Sequence, residues 1–229
     1  MMRMTNTFSV FINNLHQRLD QLHLLKHPFY QAWNQGKLSI SDLQTYALEY
    51  YHHVSFFPRY LSQIHSLCSD IKDRQVLLEN LNDEEQGEEN HPELWIRFIE
   101  GLGLSRDQIK SRPELDNTNR LVDSYFDLVR TDYPTGLGTL YAYERQTPDV
   151  SKSKIEGLKK HYNVSDKKSL QFFEVHQEAD EWHTEEIRSL LDKLSVEDQK
   201  KAEAGAVKGS ELLWHFLDGI VNHCNIACS

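Results

Sequence analysis

Residues 171–194 read QFFEVHQEADEWHTEEIRSLLDKL, and the spacing of polar and apolar groups along them decides how the chain folds. At about 100° per residue, His176, Asp180 and His183 fall within about 60° of one another on a helix surface. Phe172, Phe173, Ile187, Leu190, Leu191 and Leu194 share that sector, whereas Glu174, Glu178, Glu181, Glu185 and Asp192 face away. The pattern predicts a helix with an acidic solvated face and three metal-binding groups in the middle of its buried one. Setting a carboxylate and two imidazoles among leucines costs free energy unless something pairs with them.

Outward from this stretch, helical periodicity dominates and no run of alternating residues reads as a strand. Thr7 to Gln21 is an amphipathic helix, and HPFYQAWNQG follows, with Pro28 as a helix starter and Gly36 as a stop. Ser41 and Gln44 form a capping-box pattern for an aromatic helix reaching Cys68, with Pro58 expected to kink it. Further helices are expected from Ile71 to Gly87, over ELWIRFIEGLGL, from Ser105, from Asp116 to Arg130, and along LGTLYAYERQTP. The last of these ends at, or continues through, Pro148. Ser165 is expected to cap the histidine helix, and Ser195 a final one ending near Asn222. No repeat or low-complexity linker divides the chain. The expectation is a single all-α domain over residues 1–229, with an ordered core over about 8–220 and a frayed tail.

Composition narrows the function. The 229 residues carry a formal net charge of −10, which disfavours a nucleic-acid or anionic-membrane binder. No apolar run approaches the roughly 20 residues of a membrane span. The start, MMRMTNTFSV, lacks the features of a secretory signal, so a cytoplasmic location is expected. Cys68, Cys224 and Cys228 are too few for a disulfide framework and read as thiols of a reducing compartment.

Two other segments offer partners for the histidine helix. Glu144 shares a face with Leu137, Leu140 and Tyr141, and with Ile155 and Leu158 if the helix continues past Pro148. Glu84 shares a face with Leu77, Leu81 and, beyond a break at Gly87 or Pro92, Trp95; His91 follows at i+7. Glu88 rivals Glu84, because Glu88 and His91 form E-x-x-H, the commoner spacing in helical di-iron carboxylate proteins. Three carboxylates and three imidazoles on three helical segments suit two iron or manganese ions with positions open for dioxygen. Structural zinc prefers thiolates and closed tetrahedra.

HPFYQAW, YALEYYHHVSFFPRYLSQIHSLC, NLNDEEQGEENH, LYAYERQTP and FFEVHQEADEWH together resemble the chlamydial protein associating with death domains and its bacterial relatives. These are haem-oxygenase-like dimetal oxidases. The resemblance runs from about residue 8 to 220, with the motifs in the family's order and spacing. It implies a seven-helix bundle of the type shared with thiaminases and quinone-maturation oxidases, and a homodimer. It implies a site of two metal ions, iron with iron or iron with manganese, on Glu84, His91, Glu144, His176, Asp180 and His183. Dioxygen is the implied co-substrate.

The activity so implied is 4-aminobenzoate synthesis for folate, with the chain consuming its own side chain. By match, Tyr30 supplies the ring, Tyr46 lies near the site, and Lys154 supplies nitrogen, with Lys152 as a neighbouring competitor. Cutting a tyrosine away at Cα–Cβ and exchanging phenol oxygen for nitrogen lie beyond ordinary acid–base groups. A dimetal centre can oxidise a phenol, and a buried lysine loses its proton readily. Relatives on this fold imply an alternative, oxidation of a free fatty acid or amine. The family's name implies a further partner, a host death-domain protein.

Overall fold

The computed structural model describes residues 9–111 and 115–227, apart from the side chains at 110, 111 and 178–181. The described residues form eleven α-helices and two 3₁₀ turns, with no strand among them. The all-helical expectation holds, but a seven-helix count is too low. Short helices and chain breaks at glycine and proline divide the longer units.

Helix α1 (Val10–Leu19) is shorter than the periodicity of residues 7–21 predicts, because Ser9 caps it and the chain tightens into a 3₁₀ turn at Asp20–Leu22. A second turn, Leu24–Lys26, leads into α2 (Pro28–Asn34), whose N-cap is the His27 side chain. Helix α3 (Ile40–Leu67) starts from a capping box of Ser39 and Asp42 rather than Ser41 and Gln44. Leu38 before that cap and Leu43 after it are both buried, the placement of a hydrophobic staple, which sets this register. The helix runs on through Pro58.

Helix α4 (Ile71–Glu85) stops before Gly87, whose φ of +81° only glycine adopts cheaply. Helices α5 (His91–Gly101), α6 (Arg106–Ser111) and α7 (Asp116–Val129) follow. Helix α8 (Tyr133–Glu144) ends before Pro148 and α9 (Thr147–His161) begins there, so the periodicity does not pass unbroken from Glu144 to Ile155. Asp166, not Ser165, caps α10 (Lys167–Asp192): its carboxylate accepts the Ser169 N–H at 3.0 Å. Ser195 caps α11 (Val196–Cys224), which continues past Asn222. Cys68 is buried and Cys228 lies outside the described residues. Among the described residues no helix is long and apolar enough to cross a membrane.

Helix α8 is the axis of the fold. Every residue from Gly136 to Glu144 is buried, as its nearly all-round apolar sequence requires. Its closest neighbour is α11, and small residues line the crossing. A Cβ on Gly138 would overlap the Ala202 carbonyl, and one on Gly205 would overlap that of Thr135. Backbone cannot give way as a flexible side chain can. Gly138→Ala is therefore expected to destabilise the fold by roughly 1–3 kcal/mol, despite the ~1 kcal/mol helix-propensity advantage of alanine. A urea-unfolding midpoint unchanged from wild type would show that the two helices can separate freely.

Around this axis α3 packs on α4, α5 and α7, while α10 packs on α5, α8 and α9. Carboxylates buried in this packing do not all have one role. Glu49 of α3 accepts hydrogen bonds from the Leu115 N–H at 2.8 Å and from the Thr118 hydroxyl, at the start of α7. Leu115 has no side chain that can cap, so Glu49 caps α7 from another helix and meets its positive end.

Candidate metal centre

The last turn of α4 holds Glu84, the first residue of α5 is His91, and His176 lies midway along α10. The intervening turn brings the first two together. Asn90 fastens it by donating to the Gly87 carbonyl at 2.8 Å and by accepting the Glu93 N–H at 3.0 Å as the N-cap of α5. Glu84 Oε2 then lies 2.8 Å from His91 Nδ1, and the two residues are almost wholly buried. Glu88 is exposed in the turn, so the helix break carries it away from the interior.

One possible ligand atom from each of Glu84, His91 and His176 lies within 4.8 Å of the other two. The imidazoles of His91 and His176 are 4.3 Å apart between ring centres. His176 Nδ1 lies 2.6 Å from the Phe172 carbonyl, which can only accept, so Nδ1 carries the proton and Nε2 keeps its lone pair for a metal. Burial opposes ionisation of Glu84, but the His91 imidazole beside it, with His176 and His183 beyond, outweighs burial and holds its carboxyl below the usual range. A buried carboxylate with two imidazoles is the mixed oxygen and nitrogen donor set that iron and manganese accept. On this donor chemistry the residues fit a metal ion.

Two of the other expected ligands have partners of their own. Glu144 is buried and its Oε1 accepts from Asn80 Nδ2 at 2.7 Å. His183 is buried, with Nε2 3.0 Å from Asp83 Oδ2. The side chain of Asp180 lies outside the described residues. Asn80 and Asp83 were not among the residues expected from spacing. They stand at i and i+3 before Glu84, the last at i+4, so one face of α4 carries all three. In a string such as NLNDEE, only packing shows that Asn80 and Glu84 are buried while the exposed Asp83 still reaches His183.

Beside the carboxylates and histidines runs a second buried polar group. Tyr30 of α2 and Tyr46 of α3 have their hydroxyls 3.2 Å apart, and Lys154 Nζ of α9 donates to the Tyr46 hydroxyl at 2.8 Å. Lys152, two residues earlier, is exposed. The ring centres of Tyr30, Tyr46, Tyr50, Trp95 and Phe173 lie 5.1–5.7 Å from the Lys154 nitrogen. Aromatic faces favour an ammonium, but burial without a carboxylate partner disfavours it more. Burial pushes the Lys154 amine down to about 7. It pushes the phenols of Tyr30 and Tyr46 upward, which keeps them protonated.

Phe172 joins the two groups. It packs on His176 with ring centres 4.1 Å apart, and it lines a small cavity together with Tyr30, Tyr50, Tyr143 and Lys154. That cavity measures about 20 Å³, room for a water-sized molecule and not for an aromatic ring.

A family profile described as iron-containing redox enzyme matches residues 44–214. The 4-aminobenzoate synthase of Nitrosomonas europaea is similar at 39% identity over 238 residues, covering 98% of this chain and 96% of that protein. The 4-aminobenzoate synthase of Chlamydia muridarum is 36% identical over 223 residues, covering 95% of this chain and 94% of its own. Among solved structures, a TenA homolog from Pseudomonas syringae pv. tomato aligns with a TM-score of 0.80 at 16% identity, over 97% of this chain and 98% of that one. That likeness is one of fold.

Proposed function

Because the chain belongs to the family of iron-containing redox enzymes, and is an oxidoreductase on that ground, we propose that it makes 4-aminobenzoate and takes the ring from its own Tyr30. The observation that carries this reading is the buried hydrogen-bonded chain Lys154–Tyr46–Tyr30, next to the convergent Glu84, His91 and His176. The two named synthases supply the product, and the geometry supports a donor of the ring and a donor of the nitrogen within the chain.

The metal ligands would be Glu84, His91 and His176, joined by Glu144, Asp180 and His183 for a second ion, with iron in at least one position. When bound, the metal pair supplies reduction of dioxygen and oxidation of a phenol. The protein's own residues do the rest. Burial keeps Lys154 partly neutral at neutral pH, so its lone pair can attack carbon. Tyr46 accepts the N–H of Lys154 and turns its own hydroxyl hydrogen toward Tyr30, which holds the amine near the ring it is to substitute. The rings around Lys154 and the small cavity exclude bulk water. A free fatty acid or amine would need more space than this cavity offers.

The reading is tested by loading the protein with iron(II) and manganese(II) without oxygen, admitting oxygen, and analysing the small molecules released. Wild type grown on ring-deuterated tyrosine is expected to release ring-deuterated 4-aminobenzoate, at no more than one per chain. A Glu84→Ala protein is expected to bind less metal and release none. Unlabelled product, or many turnovers per chain, would overturn the internal origin of the ring.

A further inference from the structure

His53, in the middle of α3, is fully buried, and among the described residues neither of its ring nitrogens has a hydrogen-bond partner. Five aromatic rings surround it, those of Tyr50, Phe57, Tyr60, Tyr125 and Tyr143, with ring centres 5.0–6.1 Å away. The tyrosine hydroxyls nearby are engaged elsewhere. Tyr50 donates to Tyr143 at 3.2 Å, Tyr125 donates to the Thr139 carbonyl at 3.0 Å, and Tyr60 turns to the Val122 carbonyl at 3.5 Å.

A neutral imidazole has one donor and one acceptor. Leaving both unsatisfied in an apolar cage costs free energy that a phenylalanine of similar shape would not incur. Hence the histidine is a poor choice for filling this space and a good one for binding something polar there. Burial lowers the His53 imidazole to about 3, so it is neutral, and the Glu84 carboxylate is the charge that acts on it in the opposite direction. One turn before Glu84 on α4, Asn80 is likewise buried, and its Oδ1 lacks a hydrogen-bond partner among the described residues. Two buried, under-satisfied polar side chains therefore belong to the helices that frame the proposed metal centre, and neither is one of its six expected ligands.

We propose that His53 is a positioning residue of the metal centre, hydrogen-bonding a buried water that bridges to the Glu84 carboxylate and sets the orientation of that ligand. The imidazole donates to the water, and the water donates to the carboxylate, leaving the other carboxylate lone pairs for His91 and the metal. Oriented carboxylate ligands of this kind are held by outer partners, whose loss lowers metal affinity about 10–100-fold. This inference rests on the metal-centre reading given above.

The test measures metal binding rather than product. Cobalt(II) is titrated into apo wild type, His53→Phe and His53→Gln against a competing chelator, with the visible spectrum of the bound ion recorded and thermal unfolding of each apo protein measured. His53→Phe is expected to bind cobalt about 10–100-fold more weakly, with an altered spectrum, while its apo form is at least as stable as wild type. His53→Gln keeps a donor and an acceptor, and is expected to retain affinity close to wild type. Equal affinity and equal spectra in wild type and His53→Phe would overturn the proposal and leave the metal centre standing. So would a loss of apo stability with metal affinity unchanged. If His53→Phe does not fold, an affinity for His53→Gln as low as that of Glu84→Ala overturns it. Wild type that binds no cobalt would instead overturn the metal-centre reading itself, and this inference with it.

Discussion

Tyr30→Phe is expected to make no 4-aminobenzoate while binding metal as wild type does. The change removes one oxygen from a side chain that is packed against Phe29 and Trp33 and only 2% exposed. What the fold loses is a hydrogen bond to Tyr46 at 3.2 Å, about 0.5–1.5 kcal/mol by the usual net value. Tyr46 keeps its bond from Lys154. The chemistry, by contrast, loses its starting point, because a phenyl ring without oxygen is far harder to oxidise and has no oxygen for nitrogen to replace. Metal content by elemental analysis and product by mass spectrometry after one exposure to oxygen separate these effects. Product from Tyr30→Phe at the wild-type level would remove Tyr30 from its role. Equal loss of metal and product would make Tyr30 a structural residue.

Lys154→Met is expected to abolish product and at the same time to stabilise the protein in a pH-dependent way. Burial lowers this amine from 10.5 to about 7 in the fold. Between those values the unfolded chain holds a proton that the folded chain does not, so wild-type stability rises with pH across that window. Methionine fills similar volume with no proton to lose. Its advantage over wild type is expected to be largest at pH 7 and below, on the order of a few kcal/mol, and to vanish near pH 10.5. Paired thermal unfolding of the two proteins from pH 6 to 10 measures it. A pH-independent difference would mean that Lys154 stays charged in the fold. Wild-type product yield in a single exposure should follow the same group, rising with pH through about 7 as the neutral amine accumulates. Lys154→Met that still yields product would transfer the nitrogen-donor role to another group, Lys152 first.

The residues show how much of this was legible beforehand. The helical class was visible because helix signals are local: the 3.6-residue period, a serine or aspartate cap, a proline in the first turn. Helix starts differ from the spacing by one or two residues where two caps compete: Ser39 prevails over Ser41 with Leu38 and Leu43 buried about it, and Asp166 over Ser165 with its carboxylate accepting the Ser169 N–H. His176 and His183 could be assigned to the buried face because they share one uninterrupted helix. Asn80, buried and donating to Glu144, could not be distinguished from a solvated residue without the helices packed against it, and Asp83 is exposed even where it meets His183.

By itself, then, the sequence determined the helical class and the inward face of the histidine helix, and its resemblance to a known family implied a short set of candidates for metal, ring and nitrogen. The choices within that set were left to tertiary structure. Glu84 faces inward and Glu88 does not, because the turn at Gly87 interrupts the helical count between them and His91. Lys154 is buried and Lys152 exposed, because α9 packs one face on α2 and α10. His53 is a buried residue of α3, and only the packing around it leaves both of its ring nitrogens without a hydrogen-bond partner among the described residues. Periodicity gives direction around one helix axis; which groups meet, and which are cut off from water, depends on residues distant in the chain, and pKa and metal affinity follow from that.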